Sequence, residues 1–122
     1  MAKRVLIVDD TVFTRSLIRD IFTAAGFEVV GEAANGVEAV ERFRELRPDL
    51  VTMDIVMPFK SGIEATREIV REDRAALVVM CSALGQESLV MEAIEAGATD
   101  FVVKPFHGDD VLRTARKVLG EF

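Results

Sequence analysis

Apolar and polar residues follow two rhythms along the chain. Five short apolar runs, at residues 5–8, 28–33, 50–53, 76–81 and 100–103, have the length and composition of strands. Between them, apolar residues recur every three or four positions, the spacing of one helical face. The first stripe is Leu17, Ile18, Ile21, Phe22 and Ala25. Later stripes are Ala39, Val40, Phe43 and Leu46, then Leu89, Val90, Ala93 and Ile94, and finally Val111, Leu112, Ala115, Val118 and Leu119. The segment 63–72 has a narrower face of Ala65, Ile69 and Val70. Gly26 and Gly97 stand where helix C-caps belong, and Ser61 with Glu64 forms a capping-box pattern. Asn35-Gly36 and Arg47-Pro48-Asp49 read as turns.

Strict alternation of strand and helix predicts an α/β fold, a parallel sheet with helices on both faces. The first, third and fourth runs are almost wholly apolar, as central strands covered on both faces should be. The second carries Glu28, Gly31 and Glu32, and the fifth is short, so these two are the natural edges. The strand order is then 2-1-3-4-5, the flavodoxin-like doubly wound arrangement. The chain has 122 residues and no repeat or linker divides it, so residues 1–122 are expected to form one domain.

Composition narrows the setting. Half the residues are apolar and 30% are charged, enough for a covered sheet and unlike a disordered chain. No apolar run approaches the length of a membrane span, and the chain enters its first strand without a signal peptide. The single cysteine, Cys81, has no intramolecular partner and sits in an apolar run, which predicts a reduced, cytoplasmic protein. A net charge of −6 argues against a nucleic-acid surface and suits a binder of cations or basic partners.

The candidate chemistry lies where strands end. The first run is followed by Asp9-Asp10, the third by Asp54, the fourth by Ser82 and the fifth by Lys104-Pro105. In a parallel sheet those ends share one edge, and open α/β sheets bind ligands there, at the point where the strand order reverses. Taken singly, each residue has a plainer reading. A strand-end Asp is usually a cap or a solvated loop residue, Ser82 a cap, Lys104 a surface lysine. Their convergence is what asks for a function. Three neighbouring carboxylates repel one another unless a cation joins them, and oxygen ligands without His or Cys favour Mg²⁺ over zinc. Three carboxylates and one lysine leave about −2, which one divalent ion neutralises. Phosphorylating Asp54 would then add about one negative charge, for Lys104, the Ser82 hydroxyl and loop amides to stabilise.

At these residues the chain resembles the receiver domains of response regulators. The likeness rests on Val-Asp-Asp at 8–10, Met-Asp-Ile-Val-Met-Pro-Phe-Lys-Ser-Gly at 53–62, Cys-Ser-Ala at 81–83 and Val-Lys-Pro-Phe at 103–106. It covers the chain and is nearest to the stand-alone chemotaxis members of the family. The resemblance implies that Asp54 is the phosphoacceptor, a switch rather than an enzyme with a substrate of its own. It implies Mg²⁺ on Asp10, Asp54 and the main-chain carbonyl of Val56, with Asp9 acting through water. Lys104 would pair with the phosphoryl group, Ser82 would be the switch hydroxyl and Phe101 the switch aromatic, although Phe101 alone reads as core. A cis Lys104–Pro105 bond is implied as well.

The implied partners are a phosphodonor histidine kinase of the CheA kind and a flagellar motor switch protein or other phospho-dependent target. They would be read through the fourth helix, fifth strand and fifth helix by residues such as Met91, Glu95 and Lys117. Neither a nucleic acid nor a membrane is expected, and a monomer is. Val56 and Leu84 offer no group to orient water at the acyl phosphate, so slow self-dephosphorylation and a separate phosphatase are expected. His107, the only histidine, opens the last helix as a solvated residue and suits no phosphodonor role.

Three alternatives stay open at this point. The chain could be the receiver of a larger regulator. It could be an aspartate-nucleophile phosphatase, although Val56 stands where such enzymes carry a second Asp. It could be a flavin or nucleotide module, although acids after the first strand would repel a ligand phosphate.

Overall fold

The structure is a computed structural model that describes residues 2–121. Five strands alternate with five helices: β1 Arg4–Val8, α1 Val12–Ala24, β2 Glu28–Ala33, α2 Gly36–Leu46, β3 Leu50–Asp54, α3 Gly62–Glu72, β4 Val78–Ser82, α4 Glu87–Glu95, β5 Asp100–Val103 and α5 Gly108–Val118. All neighbouring strands pair in parallel, in the order β2-β1-β3-β4-β5. The sheet predicted from the strand pattern is the one observed, with β2 and β5 at its edges.

Side-chain alternation divides the interior into two cores. Leu6, Val8, Val51, Met53, Val78 and Met80 face α2, α3 and α4, where they meet Phe43 and Ile69. Val5, Ile7, Leu50, Val79 and Cys81 face α1 and α5, where they meet Phe22 and Ala115. The period of two along each strand sends neighbouring residues to opposite cores, which is why central runs are apolar throughout. Phe22 and Phe27 meet edge to face in the second core, their ring centroids 5.0 Å apart.

Several sequence expectations need local correction. β4 starts at Val78 rather than residue 76, because the chain is still turning there: Ala75 N–H donates to the Asp73 carboxylate (3.0 Å) and Ala76 N–H to its carbonyl (3.1 Å). Ala76 and Leu77 owe their apolar character to packing against the two cores before the strand begins. Asn35-Gly36 is no free turn. Asn35 caps α2 by accepting from Glu38 N–H (2.9 Å), while Glu38 accepts from Ala34 N–H (3.0 Å). Leu17 and Ile94, at the margins of their stripes, are exposed rather than buried. Gly26 and Gly97 do follow their helices with positive φ, and Ser61 caps α3 through Glu64 N–H (3.1 Å). Gly62 opens α3 directly against the backbone of Asp54. Its N–H donates to the Ile55 carbonyl (2.8 Å), and a Cβ there would occupy the Asp54 carbonyl oxygen.

Candidate metal and phosphoacceptor site

The parallel register brings the ends of β1, β3 and β4 level, with Val8 opposite Met53 and Asp54 opposite Cys81. The residues at and just after these ends project at the carboxyl edge of the sheet. Asp9, Asp10 and Asp54 converge there, each offering a carboxylate oxygen within 4.8 Å of the others. Asp9 and Asp54 are buried, 1% and 7% exposed, whereas Asp10 faces solvent.

Neighbours hold each group in place. Asp9 Oδ1 accepts from the N–H (2.9 Å) and hydroxyl (3.0 Å) of Thr11, and its Oδ2 lies 3.3 Å from Lys104 Nζ. Asp54 Oδ1 accepts from Ile55 N–H (3.0 Å) and Lys104 Nζ (3.3 Å), and no described residue donates to its Oδ2. Lys104 is carried in from β5 beside a cis bond to Pro105, and its own N–H donates to the Ser82 carbonyl (2.7 Å).

These surroundings set the proton affinities. Burial, then repulsion from Asp9, lifts the Asp54 carboxyl above the ordinary aspartate value to about 6, against the opposing pull of Lys104. Burial disfavours the charge on Lys104, but Asp54 and Asp9 together outweigh it and raise its pKa. Asp54 is therefore ionised at neutral pH and Lys104 fully charged. The Cys81 thiol, opposite Asp54 on β4, is pushed up to about 12 by burial and then by Asp54, and behaves as a neutral core residue.

Not every predicted residue joins the cluster. The Ser82 hydroxyl is 2% exposed and donates to the Val102 carbonyl at 3.4 Å, a long bond directed to β5 rather than to the acids. Phe101 is 42% exposed and borders a groove of about 240 Å³ with Ser82, Leu84, Val90, Met91 and Val103. Its reading as a plain core residue fails. Val56 and Leu84 are both exposed, on the loops after β3 and β4. His107 is exposed at the start of α5.

Sequence reasoning missed the supports around Asp9. Thr11 was legible as a threonine just ahead of a helical stripe, and it both caps α1 and anchors Asp9. Arg15 left no signal beyond being polar on a polar helix face, yet its Nη1 donates to the Asp9 carbonyl (2.7 Å) and its Nε to Glu32 (2.9 Å).

Three carboxylates with one ammonium, oxygen donors only and no His or Cys ligand, fit a hard divalent cation. The alternation, the strand order and this cluster together define a protein class. The chain belongs to the response regulator receiver domain family, whose pattern matches residues 5–116.

Within that family it is 56% identical over 118 residues to the chemotaxis protein CheY of Thermotoga maritima, covering 97% of this chain and 98% of that one. It is equally 56% identical to the CheY of Bacillus subtilis, over 98% and 99% of the two chains. The structure superposes on the CheX–CheY–BeF3–Mg complex from Borrelia burgdorferi with a TM-score of 0.91 and 42% identity, covering 95% of this chain and 88% of that one. No described helix is long and apolar enough to cross a membrane.

Proposed function

We propose that this chain is a chemotaxis response regulator in which residues 1–122 act as one receiver domain and Asp54 accepts a phosphoryl group from a histidine kinase of the CheA kind. The observation that carries this reading is the convergence of Asp9, Asp10 and Asp54 with Lys104 at the carboxyl edge of β1 and β3. An ionised Asp54 oxygen attacks phosphorus, the phosphorus–nitrogen bond of the donor phosphohistidine breaks, and the donor imidazole keeps the bonding pair. The residues that would hold Mg²⁺ are Asp10, Asp54 and the Val56 carbonyl, with Asp9 through water. When bound, the ion neutralises the crowded carboxylates and the charge arriving with the phosphoryl group. Lys104, already 3.3 Å from Asp54, would follow the phosphoryl oxygens as they form.

Ser82 and Phe101 are the switch pair in this reading. The Ser82 bond to Val102 is weak enough to be exchanged for a phosphoryl oxygen, and the groove beside it has space for the Phe101 ring. The change would be read on α4, β5 and α5, where Met91, Glu95 and Lys117 face solvent. The target in this reading is a flagellar motor switch protein or another phospho-dependent partner, met in the cytoplasm. The Borrelia relative in complex with CheX supports a further partner of that kind. Exposed apolar side chains at Val56 and Leu84 leave water unoriented, in keeping with slow phosphate loss and a separate phosphatase.

Incubation with Mg²⁺ and acetyl phosphate, followed by intact-mass measurement, tests the core of this proposal. One added phosphoryl group is expected, absent after chelation and absent in Asp54→Asn. No mass gain in the wild type, or an undiminished gain in Asp54→Asn, would overturn it.

A further inference from the structure

We infer that Arg15 is a positioning residue: its guanidinium, locked by Glu32, holds the Asp9–Asp10 peptide so that these two carboxylates present to a divalent cation. This rests on the reading of the acidic cluster as a Mg²⁺ site.

Arg15 sits one turn after the Thr11 cap of α1, its N–H donating to the Thr11 carbonyl (3.1 Å). Helical side chains lean toward the helix start, so this position reaches back over the first turn. Its Nη1 meets the Asp9 carbonyl at 2.7 Å while its Nε meets Glu32 Oε1 at 2.9 Å. Glu32 is held in turn, since Arg19 donates to its other oxygen (2.7 Å) and β2 pairs it with Ile7 of β1. The Arg15 side chain is only 15% exposed.

The consequence follows from peptide geometry. A trans peptide is planar, and its carbonyl and the next N–H point in opposite directions. Fixing the Asp9 carbonyl therefore fixes the plane shared with Asp10 and the direction in which the Asp10 chain leaves it. On the other side of the residue, Asp9 N–H is fixed by the Ala33 carbonyl (3.0 Å). The exposed Asp10, with no side-chain bond to any described residue, depends on this backbone clamp for its aim. Partners that orient metal ligands typically change affinity by about 10–100-fold when removed.

Three roles for Arg15 make different predictions for Mg²⁺ affinity, measured by titration calorimetry. As a positioning fork, its loss in Arg15→Ala should weaken binding roughly tenfold or more. Arg15→Lys, which keeps the charge but cannot bridge the carbonyl and Glu32 in one plane, should also weaken it, by less. As a bare positive charge near the acids, removal would instead tighten binding, and lysine would leave it unchanged. As a purely structural residue, both variants would lose thermal stability with affinity intact. The Asp10 amide shift in metal-free protein is a second readout, and it should move in Arg15→Lys. Affinity within twofold of wild type in Arg15→Lys, with an unmoved Asp10 amide, would overturn the inference. Tighter binding in Arg15→Ala would do the same. A wild type that takes no Mg²⁺ at millimolar concentration would instead remove the metal-site reading beneath it.

Discussion

Thr52 and Asp54 stand two residues apart on β3, both buried and both facing the α1–α5 side of the sheet. The Thr52 hydroxyl has no hydrogen-bond partner among the described residues, and an apolar void of about 10 Å³ lies beside it. The Asp54 carboxylate has Ile55, Lys104 and two further acids around it. Both polar groups cost stability through desolvation, but only at the carboxyl edge do charged and hydrogen-bonding neighbours gather around the group. Within one strand, the middle of the sheet serves the fold and its edge the site. Burial alone does not tell the two apart; the partners do.

Substitutions can break that division or sharpen it. The largest effect should come from the interior. Phe22→Ala removes a fully buried ring and should cost about 3–5 kcal/mol in denaturant unfolding. Mg²⁺ affinity of the folded fraction should stay within twofold, and a larger loss would show that interior and edge are not separable. At the edge, Asp10→Asn should raise the Mg²⁺ Kd roughly 10–100-fold, about 1.4–2.8 kcal/mol, with little change in Tm because Asp10 is exposed. Equal affinities by calorimetry would take Asp10 out of the site.

A smaller effect, of opposite sign, is expected at Asp54. Its folded pKa is raised to about 6, so the fold prefers the protonated carboxyl. The stability that Asp54 contributes to the metal-free protein should be fully present below the unfolded aspartate value and lost as pH rises through about 6. Asp54→Asn should then stabilise the metal-free protein at pH 7 by about 1–2 kcal/mol after screening, with the gain vanishing near pH 4. A pH-independent difference would mean that the Asp54 pKa is not raised in the folded protein. The smallest effect belongs to Thr52→Val, which replaces an unsatisfied hydroxyl with a methyl and should add about 1 kcal/mol. Phosphorylation by acetyl phosphate should proceed as in wild type. Destabilisation by this change would reveal a partner for the hydroxyl.

The sheet order was legible because polarity marks edges: Glu28 and Glu32 betray β2, and the unbroken apolar runs betray β1, β3 and β4. The acidic cluster was legible for a related reason, since parallel strands place their ends together whatever lies between. Side-chain direction was not. Ser82 ends its strand as expected, but its hydroxyl turns to the neighbouring strand, a choice made by local hydrogen bonding. The Arg15–Glu32 pair escaped notice because each alone is an ordinary charged residue, and only the β1–β2 register and the first turn of α1 bring them together. Leu17 and Ile94 show the limit of periodicity, which finds a helical stripe more readily than its margins.

Gly62 has a consequence for anyone who maps function by saturation mutagenesis. It carries no reactive group, and its φ lies outside the left-handed region, so a backbone-propensity argument would pass it by. Yet any side chain there would drive into the peptide of Asp54, whose carbonyl oxygen already fills the space of a Cβ. In a scan scored on signalling output, Gly62 should rank beside the acids as intolerant of every replacement, alanine included. Such a score would report steric trespass on the neighbour's backbone, and a position can look indispensable to an activity in which it takes no chemical part.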